Sequence, residues 1–117
     1  MSSQQNLVVI VMLTALPAWL TLSRTDRQRV VDAEVDPALA ASPEVRVRWV
    51  DAEAMTAQCS DVLLAETTDL RAWNHLWERL RDSALFAEPY FRLEAIVPGV
   101  EDGYRDYEAT LTPGAAA

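Results

Sequence analysis

Several residue types are scarce or absent in this chain, and each scarcity excludes a class of protein. Lysine is missing, so all 10 basic residues are arginines, and 18 acidic residues outnumber them to give a formal net charge of −8. An acidic chain repels phosphate backbones and anionic bilayers. We therefore expect neither a nucleic-acid partner nor a membrane partner.

Cysteine, histidine and glycine are also rare. The single cysteine, Cys59, rules out an internal disulfide and favours a reducing, cytoplasmic location. The single histidine, His75, has no cysteine or histidine near it in sequence, so we expect no metal, haem or other cofactor. All three glycines lie after residue 98, which excludes a glycine-rich phosphate loop.

Hydrophobic residues make up 50% of the chain, and they begin with a long apolar run at residues 7–22. The run is shorter than the roughly 20 residues of a membrane-spanning helix, contains Pro17 and follows a start without basic residues. Residues 7–14 instead predict a β-strand that is covered on both faces. A length of 117 residues predicts one domain. We place it at residues 7–110, after a disordered N-terminus (1–6) and before a flexible tail (111–117).

The remaining elements follow from hydrophobic periodicity. Residues 62–67 form a second continuous apolar strand, whereas residues 45–51 and 90–97 alternate as half-exposed strands do. The first helix is capped by Ser23 and carries an apolar stripe of Val31, Val35 and Leu39. It should break or kink at Asp36-Pro37. The second helix, over about residues 70–86, is capped by Thr68 or Asp69. Pro98-Gly99 and Asp102-Gly103 predict turns, and residues 104–108 a short strand or a helical turn.

The order βαββαβ predicts an α+β, ferredoxin-like fold. The two continuous strands belong at the centre of a four-stranded antiparallel sheet and the two alternating strands at its edges, in the order 4-1-3-2. Both helices then cover one face of the sheet. The other face is left apolar with a charged margin, which is typical of an interface. We therefore predict a homodimer, a dimeric α/β barrel, that pairs through the open sheet face.

Four tryptophans are many for this length, and they are the main candidates for a binding site. Trp19, Trp49, Trp73 and Trp77 fall on inward-facing positions. They either pack the helices on the sheet or line a flat apolar cleft that accepts an aromatic metabolite.

Polar candidates for catalysis are few. Glu66 lies inside an apolar strand, where a carboxylate is costly unless it is paired. We expect an ion pair with Arg46 or Arg48, and the alternative is a general acid or base with a raised pKa. Asp51 and Tyr90, near the strand ends, are the other candidates. Cys59 has only acidic Asp61 near it among charged residues, so we assign it no nucleophilic role.

Four segments also resemble a known family: residues 13–24, 51–61, 80–86 and 98–108. Together they resemble darcynin, a small family of bacterial proteins without an established function. The resemblance spans about residues 7–108 and implies no catalytic residue. More distantly, the order of elements is similar to the dimeric α/β-barrel superfamily, which includes cofactor-free monooxygenases, isomerases, haem-binding proteins and dimerisation modules. Likeness of fold alone does not assign one of these functions.

Two hypotheses about function remain open. In the first, a small homodimeric protein binds or transforms an apolar metabolite between sheet and helices, as a cofactor-independent oxygenase, isomerase or cyclase would. In the second, the protein is a non-catalytic dimerisation or regulatory module. A cavity of several hundred cubic ångströms with one or two polar groups favours the first hypothesis, and a fully packed interface favours the second.

Overall fold

A computed structural model describes residues 5–111. The expectations for residues 1–4 and 112–117 lie outside this range. Four strands form one antiparallel sheet: β1 (Leu7–Ala15), β2 (Arg46–Asp51), β3 (Asp61–Thr67) and β4 (Phe91–Val100). Their spatial order, β2-β3-β1-β4, is the predicted order 4-1-3-2 viewed from the other edge. The predicted α+β, ferredoxin-like architecture is confirmed.

The helical elements form two groups. The first comprises α1 (Pro17–Leu20), α2 (Arg24–Val30), a π-helical turn (Val31–Val35) and α3 (Asp36–Ala40); the second comprises α4 (Leu70–Asp82) and α5 (Ala84–Ala87), and α6 (Gly103–Glu108) follows the sheet. Two predicted caps are confirmed. The Ser23 hydroxyl accepts a hydrogen bond from the Asp26 N–H at 3.0 Å, and the Asp69 carboxylate accepts one from the Ala72 N–H at 3.1 Å. Each occupies an amide that the first helical turn leaves free.

The core lies between one face of the sheet and the helices. Every second residue of β1 is buried there, as are the facing residues of β3 and the inner stripe of α4: Val9, Val11, Leu13, Leu63, Ala65, Leu76 and Leu80. Each fully buried leucine contributes about 1.5–3 kcal/mol relative to an exposed one. The continuous apolar runs of β1 and β3 are therefore explained by their central position in the sheet.

Of the break or kink predicted at Asp36-Pro37, the break is wrong, because Asp36 keeps helical dihedrals (φ −58°, ψ −43°). The chain widens into a π turn, in which the Asp36 N–H bonds to the Val31 carbonyl five residues earlier. Pro37 then stands in the first turn of α3, where its missing N–H has no partner to lose. The wider turn thus lets the helix pass the proline.

Two further boundaries differ from the sequence predictions. The predicted single helix over residues 70–86 is split at Ser83, whose extended backbone ends α4 and whose hydroxyl caps α5 by accepting the Leu85 N–H. Pro98 and Gly99 form no turn but pair with Val9 and Val8 as part of β4. β4 is an edge strand, where proline is tolerated because only one side of the strand is paired. For residues 104–108 the helical alternative is confirmed.

The opposite face of the sheet carries no helix among residues 5–111. This open face presents the outward side chains of Val8, Ile10, Met12, Val62, Leu64 and Val97. Ion pairs flank it, Arg46–Glu66 at 3.3 Å and Arg92–Glu94 at 2.7 Å. Within the same described range, no helix has both the length and the apolar character needed to cross a membrane.

Candidate functional site

A cleft of about 270 Å³ lies between the first helical group and strands β2 and β3. Aromatic, aliphatic and acidic side chains line this cleft: Trp19, Val31, Val35, Asp36, Leu39, Val47, Trp49, Asp61, Leu85 and Phe91. The lining is mostly apolar with a few polar groups, which is the usual character of a small-molecule site.

Three aromatic side chains form one wall of the cleft. The Phe91 ring lies between Trp19 and Trp49, with its centroid 5.1 Å from the first indole and 6.2 Å from the second. The second contact is edge-on, at an interplanar angle of 72°, a geometry that the quadrupoles of the two rings favour. Three different elements, α1, β2 and β4, therefore meet at this wall.

Arg27 holds Trp19 in place from α2. Its Nε donates to the Trp19 carbonyl oxygen at 3.2 Å, and its Nη2 donates to the Leu20 carbonyl oxygen at 3.0 Å. The Trp19 carbonyl also accepts the Leu22 N–H at 3.1 Å, so Arg27 adds a second hydrogen bond there and one to the neighbouring carbonyl at the end of α1. The guanidinium also lies 5.7 Å from the centroid of the Trp19 ring, which adds a cation–π contact.

The polar part of the lining consists of two carboxylates. Asp61 accepts a hydrogen bond on each oxygen, from the Ser60 hydroxyl at 2.7 Å and from the Trp49 indole N–H at 2.7 Å. The same hydroxyl accepts the Ala15 N–H, so Asp61 is tied to the end of β1. Asp36 is exposed at the start of α3, and within residues 5–111 its carboxylate has no hydrogen-bond partner.

The structure brings two of the four predicted tryptophans together. Trp19 and Trp49 line the cleft, whereas Trp73 and Trp77 stack on each other on α4 with centroids 5.6 Å apart. Trp77 continues into an edge contact with Phe86, 5.7 Å away. These two tryptophans pack the second helical group, and Trp73 also lines a separate pocket with Leu7, Leu70 and Pro98.

The other sequence candidates lie outside the lining. Tyr90 packs edge-on against Trp19 at 5.5 Å, and its carbonyl accepts the Leu16 N–H. Asp51 ends β2 in an exposed position, where it accepts the Glu53 N–H at 3.3 Å. Asp51 pairs with Asp61 across β2 and β3, and neither Asp51 nor Tyr90 is part of the lining.

Glu66 lies on the open face, across the sheet from the cleft. The predicted ion pair with Arg46 is present at 3.3 Å, and the Asn6 amide donates to the same oxygen at 2.9 Å. The Asn6 hydrogen bond, followed by the nearby arginines, lowers the pKa of Glu66 below its ordinary value of 4.5, although desolvation opposes the shift. The alternative of a raised pKa is therefore wrong, and the group is a carboxylate at neutral pH.

Asp36, Asp61 and Phe91 were not singled out as binding residues from the sequence. For Asp61 the sequence offers one indication, its position at the start of a central strand. Trp49 pairs with Leu63, two residues further on, so Asp61 is a diagonal neighbour of Trp49 on the same face of the sheet. For Asp36 the sequence offers none, since its place beside the cleft depends on the π turn. Phe91 was indistinguishable from an ordinary core residue.

Metal ligation finds no support in the part of the chain that the structure describes. No group of three or more histidine, cysteine or acidic side chains is close enough to hold an ion there. Cys59, the single cysteine, is buried. His75 lies on the exposed side of α4, as its position in the helix predicts.

The sequence is similar to proteins of one family. The sequence model of darcynin, described as a domain of unknown function, matches residues 1–115. Darcynin of Chromobacterium violaceum is 55% identical over 75 residues, which cover 64% of this chain and 95% of that protein. Darcynin 1 of Acinetobacter baumannii is 36% identical over 90 residues, which cover 77% of this chain and 100% of that protein.

Chlorite dismutases are among the solved structures that share this fold. A putative chlorite dismutase superposes with a TM-score of 0.71 at 21% identity, over 94% of this chain and 50% of that one. A mutant chlorite dismutase from Candidatus Nitrospira defluvii gives a TM-score of 0.71 at 14% identity, over 86% of this chain and 42% of that one. The chain spans half or less of these proteins, and at such identities the likeness shows the fold alone.

Proposed function

This chain belongs to the darcynin family, and we propose that it binds a small apolar or aromatic metabolite in the cleft. One observation carries the proposal: a cavity of about 270 Å³ with an aromatic wall and two carboxylates lies between helices and sheet. Purely structural packing would have filled this space, since protein interiors are close-packed.

The dimensions of the cleft indicate the size of the ligand. Pockets for drug-sized molecules measure roughly 300–1,000 Å³, so a cleft just below this range suits a molecule of one or two rings. A flat ring against Trp19, Phe91 or Trp49 gains about 0.5–1.5 kcal/mol for each favourable aromatic contact beyond the area that it buries.

If the ligand is also transformed, the reaction class is one that a carboxylate base can start. Asp61 and Asp36 are the groups placed to accept a proton from a bound ligand, because both line the cleft. An isomerase-like or cyclase-like proton transfer fits this arrangement best. Glu66 lies on the other face of the sheet and would take no part.

A variant that fills the cleft tests the proposal. In Leu39→Trp the larger side chain occupies the cavity, and in the matched control Leu70→Trp it is added at a position that is 68% exposed and outside the cleft. Small aromatic compounds should raise the melting temperature of the wild type and of the control, because a ligand that binds the folded state stabilises it. They should leave Leu39→Trp unaffected. An equal rise in all three proteins would locate the binding elsewhere.

We also propose that the protein is a homodimer paired through the open face. The apolar centre of this face and its rim of ion pairs support the proposal. The same surface is the basis of the second candidate function, a dimerisation module without a ligand. In that case the cleft would stay empty while the dimer forms.

Sedimentation measurements test the pairing. The wild type should sediment with twice the chain mass of 13.0 kDa, whereas Ile10→Glu places a charge in the centre of the open face and should yield monomers. Met55→Glu, on the exposed connector between β2 and β3, adds the same charge elsewhere and should remain dimeric. A wild type that stays monomeric at every concentration would contradict the proposal.

A further inference from the structure

We propose that the ligand of the cleft is an aromatic amine that binds in its protonated form. This inference rests on the proposed binding function of the cleft and adds the chemical class of the ligand. It depends on the charges and the hydrogen-bonding capacity of the residues that line the cleft.

The charge of the lining has one sign. Among the ten residues that line the cleft, the only charged ones are Asp36 and Asp61. Arg27, which holds Trp19, does not line the cleft, and its Nε and Nη2 donate to two backbone carbonyls. The whole chain carries a formal charge of −8, so the surrounding field has the same sign as the two carboxylates. A cleft of one sign with apolar walls concentrates ligands of the opposite charge and repels anions.

The hydrogen-bonding capacity of the carboxylates is only partly used. A carboxylate offers about four acceptor positions, and Asp61 uses two of them for Ser60 and Trp49. Asp36 uses none within the described part of the chain. The Trp49 indole N–H, by contrast, is already engaged. A ligand therefore meets free acceptors on both charged groups of the lining, which suits an ammonium group with its three donors.

The aromatic wall favours the same class of ligand. An ammonium group within about 6 Å of an indole ring is attracted by the negative face of the ring. The Trp49 indole is the ring available to such a group, since the Arg27 guanidinium already lies 5.7 Å from the Trp19 ring, and Phe91 contacts both indoles. An aromatic amine satisfies all three features, because its ring packs on the apolar wall while its ammonium group reaches a carboxylate.

Three probes with one ring system separate the alternatives. Tryptamine carries an ammonium group, indole carries no charge and indole-3-acetate carries a carboxylate. We expect titration calorimetry to show tryptamine binding about tenfold more tightly than indole, and indole-3-acetate more weakly than indole. The preference for tryptamine should shrink as salt is added, because exposed charges are screened.

Charge-neutralising variants assign the preference to the cleft. Asp36→Asn breaks no hydrogen bond within residues 5–111. It should reduce the preference for tryptamine over indole severalfold while indole still binds. The double variant, Asp36→Asn with Asp61→Asn, should abolish this preference. The control, Asp82→Asn, makes the same charge change at an exposed position on α4 and should leave the preference intact.

The possible failures are distinguishable. Equal affinity for tryptamine and indole, or tighter binding of indole-3-acetate, overturns the inference and leaves the proposed function standing. A tryptamine preference that survives in the double variant also overturns the inference. If none of the three probes binds at about 1 mM, the inference and the proposed function fall together.

Discussion

The indole N–H of Trp49 lies 2.7 Å from a carboxylate oxygen of Asp61, across the pairing of β2 with β3. Trp49 is 38% exposed, and without this bond its ring would be free to rotate towards solvent. The second oxygen of Asp61 is held by Ser60, whose hydroxyl is anchored to β1. One carboxylate thus fixes an edge-strand tryptophan relative to the central strand.

Replacing this carboxylate should destabilise the protein. Asp61→Ala removes the acceptor for both donors, and we expect a loss of about 1.5–3 kcal/mol in the free energy of unfolding, since hydrogen bonds to charged groups contribute at this level. Urea denaturation measures it. A double-mutant cycle with Trp49→Phe isolates the contribution of the pair, and a coupling energy near zero would contradict the structural role.

Arg27 should control the shape of the cleft through Trp19. Arg27→Met keeps most of the apolar stem but loses both hydrogen bonds to the end of α1, so we expect the affinity for any cleft ligand to fall severalfold. Arg29→Met is the matched control, because Arg29 forms only an exposed ion pair with Asp26. Titration calorimetry compares the two variants. Equal losses in both would show that charge, not the position of Trp19, is responsible.

The sheet was predictable from the sequence because a strand that is buried on both faces has a continuous run of apolar residues. β1 and β3 are apolar at successive positions, whereas β2 and the first half of β4 alternate, and these two patterns place the strands at the centre and the edges. The course of the chain at Pro37 and Pro98 was not predictable. Both prolines keep regular structure, since a π turn in one case and an edge position in the other remove the need for the missing N–H.

The cleft was only half predictable, for a different reason. Helical and strand periodicity place all four tryptophans on inner faces but do not tell which of them face one another. The contact of Trp49 with Asp61 depends on the register of β2 against β3, and the place of Asp36 depends on the π turn. The strand register and the π turn are set by packing between distant parts of the chain, so the local sequence pattern does not predict them.

Acid should weaken the protein partly through Glu66. Its pKa is lowered in the folded protein, first by the Asn6 hydrogen bond, so the unfolded chain takes up the proton at a higher pH. The resulting stabilisation is complete above about pH 4.5 and is lost as the pH falls through the lowered folded value. In Glu66→Gln we expect lower stability at neutral pH and a shallower decline in acid, measured by urea denaturation between about pH 3 and about pH 7.

Asn6→Ala provides the control for this titration. It removes the largest cause of the shift without changing the net charge, so the decline in acid should become shallower than in the wild type. Glu94 retains its own lowered pKa, caused first by the Thr14 hydroxyl and then by Arg92, and keeps part of the pH dependence in both variants. A decline as steep as that of the wild type in Glu66→Gln would refute the assignment.

Two leucines of α4 should differ sharply on truncation. Leu76 is 0% exposed beneath the sheet, so Leu76→Ala should cost about 2–5 kcal/mol in the free energy of unfolding. Leu70, in the first turn of the same helix, faces solvent. Leu70→Ala should therefore change the free energy of unfolding by less than about 0.5 kcal/mol. Denaturant titrations report both values. Similar losses in the two variants would mean that α4 does not bury the face that carries Leu76.

Strand β2 contributes side chains both to the cleft and to the open face. Val47 and Trp49 point into the cleft, while Arg46 and Arg48 point to the open face. A molecule that fixes the backbone of this edge strand from one side lowers the entropic cost of fixing it from the other. Thermodynamic linkage then requires the effect to be mutual. If the proposed homodimer and the proposed cleft ligand both form, ligand affinity should rise with protein concentration, and the ligand should in turn tighten subunit association by the same factor.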